Sequence, residues 1–128
     1  MKTIILDSSI YISSLNSTDV LNKKTKEFLS SLEKESNIKI VVPVIIILEV
    51  ANILQKSPQE ISAIFIGGDV VELNFDIVKK LIPIFRLIKL KTSDAVIIGC
   101  AKIFQAELIS WDKKLVKEAK KLVKAYTP

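Results

Sequence analysis

At 128 residues, with 49% hydrophobic content and a net charge of +5, the chain is predicted to form one domain over residues 1–128 without disulfides. One cysteine and no histidine exclude Ser-His-Asp and Cys-His nucleophile systems and the usual zinc sites. No apolar run reaches the roughly 18 residues of a membrane span, and the N-terminus lacks the apolar region of a secretory signal, so a cytoplasmic location away from membranes is predicted.

Short apolar runs alternate with longer helical patterns along the chain. The first half predicts a strand at 3–6, a helix at 20–34, a strand at 38–42 and helices at 43–55 and 60–65. Pro43 suits the first turn of its helix, and Gly67-Gly68 ends the short one.

The second half continues the alternation. It predicts a strand at 70–73, a helix at 76–88, a helix at 93–105 capped by Thr92, a strand at 108–110, a helix at 113–121 and an edge strand at 123–126. Strands that alternate with helices indicate βαβ units and a parallel sheet, here of four or five strands. Ligand sites in such sheets form beyond the carboxyl ends of the strands.

Four carboxylates occupy positions where an apolar chain has little other use for them. Asp7 and Asp112 lie just after the first and fourth predicted strands, and Glu49 and Asp94 interrupt apolar helices. If the fold brings these acids together, their mutual repulsion requires a cation. Because the available ligands are oxygens, the expected ion is Mg²⁺ or Mn²⁺.

Each acid also has a purely structural interpretation. Asp7 and Asp112 are good N-caps for the segments that follow them, and Asp94 in a first helical turn complements the helix dipole. Glu49 shares a helical stripe with Asn52 that would face water in an ordinary amphipathic helix. The surrounding residues are almost all apolar, however, and a carboxylate buried among them costs several kcal/mol unless a cation or strong donors meet it.

The ordered set of four motifs is more specific than any one of them. The motifs are LDSSIYI at 6–12, PVIIILEVANIL at 43–54, KTSDAVIIGCA at 91–101 and ELISWDKKL at 107–115. Over the whole chain they resemble the PIN-domain family of small nucleases, particularly VapC-type toxins of toxin–antitoxin pairs. Three positions depart from the commoner pattern without removing an acid: Ser9 for a frequent asparagine, Ser110 for threonine, and Gly99 for alanine.

The resemblance implies a three-layer α/β/α PIN-like fold and metal-dependent endonucleolytic cleavage, usually of RNA. It implies Asp7, Asp94 and Asp112 as the nearest metal ligands, with Glu49 completing the ligand set, binding a second ion or orienting the attacking water. Ser110, Ser9 and Asn52 would orient carboxylates or touch the substrate phosphate. A cognate antitoxin and a homodimer are the implied protein partners.

An acidic site needs basic groups nearby if it is to accept a phosphate backbone. Candidates are Arg86, Lys89 and Lys91 ahead of Asp94, and Lys113-Lys114 after Asp112. The later lysines alternate with apolar residues, as in an ordinary amphipathic helix. Trp111 either packs against the sheet or stacks on a base.

Three hypotheses remain open from the sequence: a ribonuclease toxin controlled by an antitoxin, a PIN-like RNA-processing nuclease without one, and a non-enzymatic α/β module that binds structural Mg²⁺. The third is a poor match, because the segment after the third predicted strand begins with Asn74 where a receiver-type module has its acceptor aspartate.

Overall fold

The computed structural model describes the whole chain, Met1–Pro128. Its centre is a sheet of five strands, all parallel, in the order β3-β2-β1-β4-β5. The strands are β1 (Lys2–Leu6), β2 (Ile38–Pro43), β3 (Asp69–Val71), β4 (Glu107–Ile109) and β5 (Ala125–Tyr126). The predicted parallel sheet is confirmed, and the short edge strand makes it five-stranded.

Seven helices cover the two faces of the sheet. They are α1 (Ser8–Leu15), α2 (Asn22–Lys34), α3 (Val44–Leu54), α4 (Pro58–Ile64), α5 (Phe75–Phe85), α6 (Thr92–Ile103) and α7 (Lys113–Ala119). The predicted three-layer α/β/α arrangement is therefore confirmed. None of the seven combines the length and the apolarity that a bilayer crossing would require.

Alternation along the central strands divides the core between the two faces. Ile4 and Leu6 of β1 belong to a small cluster with Ile10 and Leu32 from α1 and α2. Ile5, between them, joins the larger cluster on the opposite face, which contains residues of α3, α5, α6 and α7. Both faces of β1 are thus buried, as expected for a central strand of a parallel sheet.

A close contact fixes how α5 and α6 pack. Gly99 of α6 is buried, and a Cβ at this position would collide with the Leu81 side chain of α5. The absence of a side chain lets the two helices approach, which offsets the roughly 1 kcal/mol by which glycine disfavours a helix. The departure from the commoner alanine therefore has a packing reason.

Several predicted boundaries were wrong, and one helix was missed. No element was predicted over residues 8–19, where α1 forms. This helix is completed by tertiary contacts: the Asn22 side chain donates to the carbonyls of Ser13 and Ser14 at 2.8 and 3.2 Å, and the Ser13 hydroxyl lies 2.7 Å from that of Thr25. Such long-range partners cannot be seen in a local pattern.

The other differences are small. Strand β3 covers Asp69–Val71 rather than 70–73, α5 stops at Phe85 rather than at 88, and Thr92 is the first residue of α6 while Lys91 occupies the cap position. They leave the predicted order of elements unchanged.

Candidate active site

The four acids come from two strand ends and two helices, and all of them line one cavity. Asp7 follows β1, Asp112 lies beyond β4, Glu49 is on α3 and Asp94 is in the first turn of α6. The cavity has a volume of about 480 Å³ and is called the acidic cavity below. It lies beyond the carboxyl ends of β1 and β4, where ligand sites form in open parallel sheets.

Asp7 is held by two serine hydroxyls. Its side chain is buried, and its Oδ2 accepts hydrogen bonds from Ser9 Oγ at 3.0 Å and Ser110 Oγ at 2.7 Å. It stands at the N-cap of α1 but makes no side-chain capping hydrogen bond. Asp7 therefore occupies the predicted N-cap position, but its side chain does not cap the helix, and its second oxygen remains available to the cavity.

Asp112 does cap a helix. Its Oδ1 accepts hydrogen bonds from the backbone N–H groups of Lys114 at 3.0 Å and Leu115 at 3.2 Å, at the start of α7. Its own N–H donates to Ser110 Oγ at 2.9 Å. One buried hydroxyl, that of Ser110, thus connects the two strand-end acids.

Glu49 has no such support. Its Oε1 is buried and has no hydrogen-bond partner. Burial and the neighbouring charges of Asp7 and Asp94 raise the pKa of Glu49, and the Lys91 ammonium and the Ser8 hydroxyl oppose that rise. Glu49 is half-buried, and it lines the acidic cavity with one oxygen out of reach of solvent.

Asp94 is in a similar position. Burial raises its pKa, Lys91 lowers it, and the charges of Asp7 and Asp112 raise it further. The carboxylates that raise the pKa values of Glu49 and Asp94 all belong to the four predicted acids. The predicted acids therefore lie close enough for their charges to act on one another within the cavity.

The predicted supporting residues divide into two groups. Ser9, Asn52 and Lys91 line the acidic cavity, and Ser110 lies beneath it through its hydrogen bonds. Arg86 and Lys89 are exposed and do not line it; the backbone N–H of Lys89 instead faces Glu118 at 3.4 Å. Lys113 and Lys114 are exposed at the start of α7 and do not line the cavity either, so Lys91 is the one predicted basic residue on its wall.

Trp111 packs rather than standing free. Its ring packs against the small core cluster, and its Nε1 donates to Thr25 Oγ1 at 2.8 Å. It also contributes to the wall of the acidic cavity. The packing interpretation is confirmed.

One acid at the cavity was missed from the sequence. Asp19, in the segment between α1 and α2, lines the acidic cavity, and its Oδ1 accepts the N–H of Leu21 at 2.8 Å. It ends a polar stretch, residues 16–19, and does not follow an apolar strand as Asp7 and Asp112 do. Only the position of α1, itself unpredicted, could have indicated that it lies at the cavity.

A model of the PIN domain matches residues 4–121. The chain belongs to the PIN-domain family. No curated protein matches it by sequence.

Several solved structures share the fold of this chain. VapBC-1 from nontypeable Haemophilus influenzae is similar with a TM-score of 0.74 and 15% identity, over 98% of this chain and 97% of that one. VapC20 from Mycobacterium tuberculosis, described as a sarcin-ricin loop cleaving toxin, has a TM-score of 0.72 and 14% identity over 94% and 97%. FitAcB from Neisseria gonorrhoeae has a TM-score of 0.71 and 17% identity over 96% of each chain.

PIN domains generally bind a divalent metal, and the donors in this cavity suit one. The carboxylates line the same cavity, although no three of them lie close enough to form a ready-made metal site. A hard cation would give the Glu49 oxygen a partner. It would also lower the raised pKa values of Glu49 and Asp94. The residues of this PIN domain therefore fit the group that its family implies.

Proposed function

We propose that this chain is a metal-dependent endoribonuclease, formed by a single PIN-like domain over residues 1–128, and the toxin of a type II toxin–antitoxin pair. The observation that carries the proposal is the convergence of Asp7, Glu49, Asp94 and Asp112 on one cavity, where one carboxylate oxygen is buried without a partner. Acids placed in this way destabilise the empty site and suit a cation that also contacts phosphate.

Asp7, Asp94 and Asp112 would hold Mg²⁺ or Mn²⁺, with Glu49 completing the set, binding a second ion or orienting the attacking water. When bound, such an ion lowers the pKa of water and offsets the charge that develops on phosphorus. Ser9 and Ser110 hold one oxygen of Asp7 and so leave the other facing the cavity. Glu49, whose pKa is raised, suits the acceptance of a proton from the attacking water.

RNA is the proposed substrate for two reasons. The net charge of +5 favours a polyanion, and the structurally similar M. tuberculosis protein is described as a toxin that cleaves the sarcin-ricin loop. Cytoplasmic RNA would then be the target, which agrees with the location predicted from the sequence.

Purified protein is expected to cleave RNA with Mg²⁺ or Mn²⁺ and to lose this activity in EDTA. Asp7→Asn and Asp94→Asn should each abolish cleavage, because each removes a charge from the acidic cavity. Asp76→Asn, an exposed acid on α5, is the matched control and should remain active. Cleavage that survives both cavity substitutions would refute the assigned site.

An antitoxin is the proposed partner, and a second cavity supports this. It also measures about 480 Å³, lies between α1, α2 and the end of α4, and is mostly apolar; exposed Leu15 and Ile66 are among its lining residues. A groove of this kind suits the apolar face of a partner helix. The product of an adjacent small reading frame should co-purify with the wild type but not with Leu15→Glu/Ile66→Glu. If no such product binds or inhibits, the nuclease has no antitoxin.

A homodimer is also proposed. Exposed apolar side chains on α3 and α5, namely Leu48, Ile53, Phe75 and Ile82, are surfaces that a second copy would cover. Light scattering that gives the mass of a monomer at micromolar concentration would contradict this.

A further inference from the structure

Helix α7 carries a stripe of unpaired lysines that the proposed chemistry does not use. Lys113, Lys117 and Lys120 are separated by four and three residues, so they share one side of the helix. All three are exposed, and none lies within ion-pair distance of a carboxylate. Nearby Lys121 and Lys124, in contrast, pair with Glu118 and Glu107.

The stripe is concave and firmly supported. The three lysines, together with Tyr126 and Thr127, line a shallow cavity of about 400 Å³. The opposite side of α7 is anchored in the large core cluster by Leu115 and Ala119, which are 1% and 0% exposed. The lysines therefore hold a fixed position relative to the sheet.

The stripe begins at the acidic cavity. Lys113 directly follows Asp112, which lines that cavity and caps α7. From residue 112 to residue 120 the helix axis advances about 12 Å. That distance corresponds to the axial rise of roughly three to four nucleotides of a stacked strand.

We propose that Lys113, Lys117 and Lys120 form a track that binds the phosphates of the RNA strand on one side of the cut. This inference rests on the proposed ribonuclease function and adds the path of the substrate to it. The acidic cavity contains five carboxylates and one cation, Lys91, so it repels a phosphate backbone beyond the scissile group. A basic surface that starts one residue after Asp112 supplies the missing attraction, which favours RNA over an acidic protein as the occupant.

The test compares two triple variants with the same net charge. Lys113→Gln/Lys117→Gln/Lys120→Gln removes the track, and Lys34→Gln/Lys80→Gln/Lys102→Gln removes three exposed, unpaired lysines from α2, α5 and α6. Steady-state cleavage of a long RNA is measured over a range of salt concentrations. The track variant should raise KM on the order of tenfold with kcat unchanged, and its salt slope should fall by about 2, from three lost contacts at roughly 0.7 each. The control should match the wild type in both.

The outcomes separate the inference from the proposed function. If the wild type cleaves RNA and the two triple variants have equal KM values and salt slopes, the track is overturned and the nuclease stands. If the wild type cleaves no RNA, the proposed function fails and the track with it. If the track variant keeps its RNA parameters but no longer binds poly-L-glutamate, the stripe is a site for an acidic protein, and the RNA track is overturned.

Discussion

On the strand side of the acidic cavity, Asp7 and Asp112 accept hydrogen bonds from the scaffold, whereas on the helix side the buried oxygen of Glu49 has no partner. Two serine hydroxyls hold Asp7, and two backbone N–H groups hold Asp112. Glu49 and Asp94 instead have raised pKa values, caused first by burial. The strand-end acids are thus held by hydrogen bonds within the fold, whereas the helix acids are less well satisfied by protein groups.

The origin of the difference lies in the backbone. Asp112 accepts the free N–H groups of the first turn of α7, and Asp7 accepts the hydroxyls of Ser9 and Ser110. The middle of a helix such as α3 has already used its own N–H groups. A carboxylate placed there must find a partner outside its own element or remain unsatisfied.

The largest expected effect comes from neutralising the unsatisfied side. Glu49→Gln should reduce cleavage by more than the roughly 100-fold that loss of an outer-shell partner costs, because Glu49 faces the cavity itself. In EDTA the same change should raise Tm, since it removes a buried charge beside Asp7 and Asp94.

The pH dependence gives the sign. The pKa of Glu49 in the folded protein is raised above its ordinary 4.5. Without metal, the stability of the folded state relative to the unfolded state is therefore highest below pH 4.5 and falls as the pH rises through the raised pKa. The Tm advantage of Glu49→Gln should therefore be large near neutral pH and vanish in acid. Glu27→Gln on the exposed side of α2 is the control, and an equal Tm for both variants in EDTA would show that Glu49 is not strained.

The satisfied side is tested by removing its shared hydroxyl. Ser110→Ala leaves Asp7 with one donor and the N–H of Asp112 without its acceptor. Cleavage should fall about 10- to 100-fold, and the free energy of unfolding should fall by about 1–3 kcal/mol. Ser31→Ala on the surface of α2 should change neither quantity. Unfolding by urea and initial cleavage rates measure the two effects, and full activity in Ser110→Ala would remove the distinction between the two sides.

The next prediction concerns the packing of α6, the helix that carries Asp94. Gly99→Ala should lower the free energy of unfolding by about 1–3 kcal/mol through overpacking, although alanine is the better helix former. Leu81 is the side chain that the new methyl group meets. In the double variant with Leu81→Ala, the added cost of Gly99→Ala should disappear, as a double-mutant cycle would record. A stabilising Gly99→Ala would contradict the close packing.

The smallest effect concerns the one cation on the cavity wall. Lys91 lowers the pKa of both Glu49 and Asp94. Lys91→Met should therefore move the acid limb of the kcat–pH profile upward. Lys89→Met, which lies outside the cavity, should leave the profile in place; a downward move for Lys91→Met would contradict the assigned interaction.

The sequence predicted those parts of the molecule whose cause is local. The apolar runs at β1 and β2 and the long helical patterns of α3 and α6 follow from period and composition. The parallel sheet and the four acids could therefore be predicted from the sequence. Helix α1 and Asp19 were not predicted, because their partners, such as Asn22 and Thr25, come from other segments. The packing reason for Gly99 was not predicted either, because its neighbour Leu81 is eighteen residues away in sequence. The lining of the cavity by Lys91 but not by Arg86 depends on the turn between α5 and α6, whose direction no local pattern fixes.

Asp112 both caps α7 and lines the acidic cavity, so the proposed ion would be coupled to this helix. One oxygen of this carboxylate caps the first turn of α7, so a cation that binds the same carboxylate would shift the position of that turn. Amide exchange at Lys114 and Leu115 should then act as a reporter of loading, visible without substrate and without cleavage. The lysines proposed to bind the RNA strand and the cavity proposed to cut it would then both depend on the position of Asp112.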